Sequence, residues 1–467
     1  MRHSYKLTHF PVGSLREIMT VSCPLILGLL SNSLMMFADR LFLANYSLET
    51  LSASATGGMA AILISILPLV IAGMSEVFVG RLNGEESKLE IGKSVWQMIW
   101  FSVATGPFFI ILPRLLTPLI FYGSPLIEAE ADYFIITSDL NMFWCICIAL
   151  MGFYIGIGKA KFVMWITLAG NGLNILLDYW LIFGIGPFPE MGIRGAALAT
   201  GIASFFMMLM LGAGFLSSKN HGLYRSRDYR FHFSLFKEGI NIGIPAGLGR
   251  FMEMFAHMIF LRAVAFSGAE NLTIVAIVQS IYILFAFCTE GLSKAVTAII
   301  SNLIGAGKLM RIGKVLRAAI FQHILIFSIL MGSLYFFSHE VIGIFLPKDQ
   351  AYLLLDTNFF YSTIYAINWM CIFFLFDGFC WILMGHLLAA QDTRFLLIAS
   401  LAQNWVANII PTLIGMLYLG WGAKEAWIIL GFSAFLNTLL LLSRFLTGNW
   451  RKKSLEQELI FAENQEK

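Results

Sequence analysis

Charge is what this chain has least of. Only 13% of its 467 residues are Asp, Glu, Lys or Arg, and 58% are hydrophobic. A soluble domain carries about 25% charged residues, so a water-soluble globule is excluded. The apolar excess is spread over the whole length rather than gathered in one anchor, which points to a polytopic helical membrane protein. Cysteine is also scarce. The six (Cys23, Cys145, Cys147, Cys288, Cys371, Cys380) all lie in apolar stretches without metal or disulfide spacing, and read as small packing residues. No P-loop is present, so ATP does not drive the protein directly. No nucleophile–base constellation or metal motif appears, and no enzyme or cofactor is expected. The net charge of +3 gives no sign of a nucleic-acid partner. The first apolar segment is too long for a signal peptide and lacks a small-residue cleavage site.

What is there is a series of apolar segments, each long enough to cross a bilayer. A spanning helix needs roughly 20 residues. Twelve are expected, over 17–43, 52–79, 94–121, 131–154, 162–184, 192–216, 238–265, 272–304, 316–346, 352–388, 395–419 and 423–446. Lysine and arginine alternate between the connections. They gather in the N-terminus (Arg2, Lys6, Arg16), in every second loop and in the C-terminal tail (Arg451, Lys452, Lys453, Lys467), whereas the other loops carry only Arg194, Lys348 and Lys424. The bias places both termini in the cytoplasm and supports an even number of spans.

The longest polar connection, Ser217–Ser234, divides the chain into halves of six spans. The expected layout is a cytoplasmic segment 1–16, a first lobe 17–216, the linker 217–237, a second lobe 238–446 and a cytoplasmic tail 447–467. The halves look like copies. A shift of 221 residues maps Pro24 onto Pro245, Arg16–Glu17 onto Lys237–Glu238, Gly84 onto Gly305 and Gly92–Lys93 onto Gly313–Lys314. Such repeats predict an all-α fold of two pseudo-symmetric six-helix bundles around a central cleft.

A charge within lipid costs at least ~2.5–3.5 kcal/mol on insertion scales, so each one needs a partner or a wet cavity. Several have simple readings. Glu290 and Lys294 are i,i+4 and pair along one helix. Arg250 is positioned to pair with Glu253 at i,i+3, an alternative to a functional role for that glutamate. Glu76 and Asp139 lie near segment ends and read as solvated. His323, His339 and His386 read as packing residues rather than ligands. Asp39, Asp178, Glu253 and Asp377 are harder to dismiss. Asp178 and Asp377 have no basic residue on their own helical face, and Asn174 shares a face with Asp178 at i,i+4. Kept from water, such a carboxylate can bind and release a proton, or coordinate sodium with nearby oxygens such as those of Asn174 and Thr200. Either chemistry ties ion occupancy to conformation. The segment after Asp178, GPFPEMGIRGAALAT, makes a Gly/Pro turn and then a small-residue helix face suited to close packing. Some of the 42 Phe and 22 Met are available to line an adaptable apolar cavity.

At Asn174–Asp178 and PEMGIRGAALAT the sequence resembles the multidrug and toxic compound extrusion (MATE) transporters. The likeness runs through nearly all of residues 12–446 and includes FADRLFLANYS with Asp39, VGRLNGEE, SNLIGAGK, GKAKF and AAQDTRF. It implies twelve helices in two lobes and a monomer in the inner membrane, multi-pass. It also implies export of bulky, often cationic, organic compounds in exchange for protons or sodium. In DinF-like relatives the coupling residues match Asp39, Asn174 and Asp178, with Thr200 beside them. In NorM-like relatives a cation site in the second lobe matches Glu253 and Asp377, and sodium is a candidate ion there with no metal site certain. The chain departs from the commoner patterns at Arg40, Tyr179 and Arg250. The alternative function is a lipid-linked oligosaccharide flippase of the same superfamily; twelve spans and an acidic-leaning cavity argue against it.

Overall fold

The computed structural model describes residues 7–345 and 357–451. Arg2, Lys6, Lys348, Lys452, Lys453 and Lys467, used above to read orientation, lie outside them. Every described element is helical. Twelve long helices follow one another: α1 (Leu15–Tyr46), α2 (Leu48–Gly84), α3 (Lys88–Ile120), α4 (Ile127–Gly156), α5 (Ala160–Phe183), α6 (Ile193–Phe215), α7 (Phe233–Phe266), α8 (Ala269–Gly305), α9 (Ile312–Phe345), α10 (Thr357–Ala389), α11 (Thr393–Tyr418) and α12 (Ala423–Thr447). Each overlaps one expected span. Among the described residues, eleven are long and apolar enough to cross a membrane. The exception is α7, whose 34 residues include Arg250, Glu253 and His257. The polar load that marks a site also lowers its apolar signal.

Local chemistry sets the breaks. Ser47 caps α2 by accepting from the Thr50 N–H at 3.0 Å. Gly106–Pro107 interrupts α3, ending one helical stretch at Ala104 and opening the next at Gly106, where proline at the first turn is tolerated. Gly184 ends α5 in the left-handed conformation (φ 66°). In α11, Ala402–Ile409 winds as a π-helix between α-helical ends, and α9 kinks at Phe337 (φ −127°, ψ 25°).

The chain forms two compact units. The first comprises Thr20–Gly247 and Ala298–Leu309 together with the described residues before Phe10. Within it, α4 lies along α2 and α6, and α5 along α6. The small face expected on α6 does permit close approach: a Cβ on Gly195 would sit 2.6 Å from the Leu181 carbonyl oxygen of α5. The polar linker is strapped to α3. The Trp96 and Trp100 indole N–H groups donate to the carbonyls of Ser226 (2.8 Å) and Tyr229 (2.9 Å), and the His232 N–H donates to Gln97 Oε1 at 2.9 Å. The second unit comprises Phe10–Met19, Leu248–Thr297 and the described residues from Met310 onward. Its core gathers Phe260, Val278, Phe359, Met370, Phe374 and Trp427, with α10 packed along α9 and α12.

The sequence repeat has a physical counterpart inside the first unit, where the ends of α2 and α8 cross. A side chain on Gly84 would strike the carbonyl of Asn302, and one on Gly305 would strike the carbonyl of Arg81. A 221-residue shift exchanges these two contacts. Gly80 and Ser301, another pair at that shift, face each other: a Cβ on Gly80 would lie 2.7 Å from that of Ser301. Asn83 Nδ2 donates to Asn302 Oδ1 at 2.8 Å across the crossing. Reciprocal contacts of this kind are the signature of a twofold relation.

Candidate functional site

In the first unit α1, α4, α5 and α6 bring four of the expected residues together. Asp178 and Asn174, one helical turn apart on α5, are both fully buried. Asn174 bridges to α6: oriented so that both amide atoms find partners, it donates to Asp178 Oδ2 at 3.1 Å and accepts from the Thr200 N–H at 3.1 Å. The Thr200 hydroxyl donates to the Ala196 carbonyl at 3.2 Å. Asp39 on α1 stands close enough to Asp178 for the two carboxylates to repel, and the Tyr133 hydroxyl of α4 faces Asp39. Two oxygens remain buried without a hydrogen-bond partner, Asp39 Oδ1 and Asp178 Oδ1. Buried acceptors in that state cost about 1–3 kcal/mol each, more when charged. Both are relieved by a proton or a bound cation. A second polar tie, Asn171 Nδ2 donating to Ser31 Oγ (2.8 Å) and Asn32 Oδ1 (2.7 Å), fixes α5 against α1 just below.

In the second unit the expected pair Glu253 and Asp377 lies in one polar cluster, and both acids have partners. Arg250 Nη1 donates to Glu253 Oε1 at 2.6 Å, with side chains 32% and 35% exposed. The guanidinium also stacks over the Trp381 ring of α10, 4.7 Å from its centroid. Tyr282 of α8 donates its hydroxyl to Asp377 Oδ2 at 2.9 Å. His257 Nε2 meets the Gln279 side-chain amide at 2.8 Å. Glu290 lies 3.6 Å from Lys294, as i,i+4 spacing suggested.

Two expectations need correcting. Asp139, read as a solvated residue near a segment end, is partly exposed but sits in the middle of α4, where both terminal nitrogens of Arg114 hold it (2.6 and 2.8 Å). Glu76, read the same way, is buried well inside α2. Sequence reasoning missed Tyr133, Tyr282 and Trp381 altogether. Each acts across helices, at separations that no local pattern encodes.

The comparison with known proteins bears on this geometry. The MatE family model matches residues 24–180 and 245–414, most of the chain and both halves of the repeat. The chain belongs to the MatE family. This is a family of multidrug efflux transporters. A protein named probable multidrug resistance protein NorM from Thermotoga maritima is 24% identical to it, covering 97% of this chain and 98% of its own length. A protein of the same name from Listeria monocytogenes is 25% identical, covering 96% of each. Among solved structures, an outward-facing multidrug resistance MATE transporter of the MOP superfamily matches with a TM-score of 0.84 at 17% identity, over 94% of this chain and 96% of that one. A MOP superfamily transporter from Pyrococcus furiosus, described as having a binding pocket of reversed polarity, matches with a TM-score of 0.83 at 19% identity, over 96% and 97%. At that identity the structures establish the fold: a polytopic all-helical MATE architecture of two pseudo-symmetric halves.

Proposed function

We propose that this chain is a secondary antiporter that exports organic, often cationic, compounds across the inner membrane in exchange for protons or sodium. Both termini lie on the cytoplasmic side, as the Lys/Arg bias suggests, and the unit of transport is the monomer. The relatives named for multidrug resistance support the substrate class, and nothing in their names favours a lipid-linked oligosaccharide. Coupling belongs to Asp39, Asn174, Asp178 and Thr200. The observation that carries this is the pair of orphaned oxygens, Asp39 Oδ1 and Asp178 Oδ1, on neighbouring carboxylates kept from water. An ion entering there removes two unmet acceptors and a like-charge repulsion together, so its binding free energy is available to bias one conformation over another. Alternating access follows when the halves of a repeat rock between two arrangements.

Ethidium efflux from cells or proteoliposomes tests the reading. Asp178→Asn and Asp39→Asn should each remove gradient-driven efflux while the protein still folds in detergent. Full efflux by both variants would reject the coupling role.

A further inference from the structure

We propose that Arg250 is a tethered cation that permanently occupies the second-unit acidic cluster, so that Glu253 and Asp377 take no diffusible sodium and ion coupling is confined to the first unit. The inference deepens the antiport reading and rests on it for the last clause only.

The guanidinium is held from three sides. It donates to Glu253 one turn along α7. Its flat face lies over Trp381 of α10. Glu290 of α8 and Asp377 of α10 both lie within reach of its charge. A planar guanidinium suits this setting better than an ammonium. It stacks on an aromatic face while its edge hydrogen-bonds a carboxylate, and it keeps its charge at any physiological pH. Asp377, one turn from Trp381, is served by the Tyr282 hydroxyl. The carboxylates that would have ligated an incoming ion are thus satisfied by the protein itself. No Arg250 counterpart sits beside Asp178. Without Arg250, the same cluster would present Glu253 and Asp377 with the Tyr282 hydroxyl, an all-oxygen set of the type hard cations prefer, while Glu290 keeps its own partner Lys294. A cation on a tether occupies the site whatever the concentration of free ions outside.

The test is sodium-specific stabilisation of the full chain in detergent or nanodiscs. Tm is read in NaCl against N-methyl-D-glucamine chloride at equal ionic strength. All variants carry Asp178→Asn so that the first-unit cluster contributes little, and each is repeated with Asp377→Asn. With Arg250 present, or replaced in Arg250→Lys, no Asp377-dependent sodium shift is expected. Arg250→Gln should gain a saturable rise in Tm with sodium that Asp377→Asn removes. An Asp377-dependent shift with Arg250 intact would overturn the proposal, as would a folded Arg250→Gln that ignores sodium. Should Arg250→Gln fail to fold in either salt, Arg250→Gln/Glu253→Gln decides. Recovery of the fold upholds the counter-ion role, and equal instability shows Arg250 to be a packing partner of Trp381. Wild-type dye efflux is measured after the same protein is reconstituted into proteoliposomes; its absence would count against antiport and leave the sodium result standing.

Discussion

The two units hold their intramembrane acids in opposite ways. In the first, Asp39 and Asp178 lie side by side with an oxygen each unmet; their side-chain partners, Asn174 and Tyr133, are neutral, and the charge of Arg40 reaches Asp39. In the second, Glu253 and Asp377 are met by Arg250 and Tyr282. A buried carboxylate without a counter-ion is unstable until something arrives, which is what a coupling site requires. One that carries its own cation gains stability and loses the dependence on an outside ion. In the second half of the repeat Arg250 on α7 hydrogen-bonds one of the acids directly.

The contrast predicts unequal consequences. The largest is the loss of coupled efflux in Asp178→Asn, read as ethidium retention with the protein still folded. Asp377→Asn should leave measurable efflux, and equal loss in both would erase the distinction between the units. Next comes a place where the halves are alike. Gly84→Leu and Gly305→Leu each force a side chain into a backbone carbonyl of the other helix. Each should destabilise by about 1–3 kcal/mol or more, and to a similar extent, seen as matched falls in Tm or yield. A benign result at one position alone would mean that the crossing is not reciprocal. Glu253→Gln removes the charged partner of a half-exposed arginine. The cost should fall between that of exposed and buried pairs, about 1–3 kcal/mol by thermal unfolding, because Glu290 and Asp377 still face the guanidinium. The smallest effect is that of Thr200→Val. It keeps the N–H that Asn174 accepts from and loses one hydroxyl, worth about 0.5–1.5 kcal/mol, or roughly a 2–10-fold fall in efflux.

Much of this could be read along the chain. Apolar runs of spanning length located the twelve long helices among the described residues. The i,i+4 spacing put Asn174 and Asp178 on one face, and the 221-residue shift anticipated the paired contacts of Gly84 and Gly305. What escaped was the chemistry between helices. Tyr133 reaches Asp39, Trp381 carries Arg250, and Arg114 grips Asp139 only because separate helices are packed side by side. Glu76 looked terminal because the expected second span stopped at 79, whereas α2 continues to Gly84 and buries it. Among the described long helices α7 lacks a plain apolar signal, and Arg250 and Glu253 are among the charges that lower it.

The most direct test is dye export from proteoliposomes with sodium and proton gradients imposed separately, on wild type and Asp178→Asn. The account predicts that one inward cation gradient drives export by the wild type and that neither drives it in Asp178→Asn. Gradient-driven export by Asp178→Asn at the wild-type rate would contradict it.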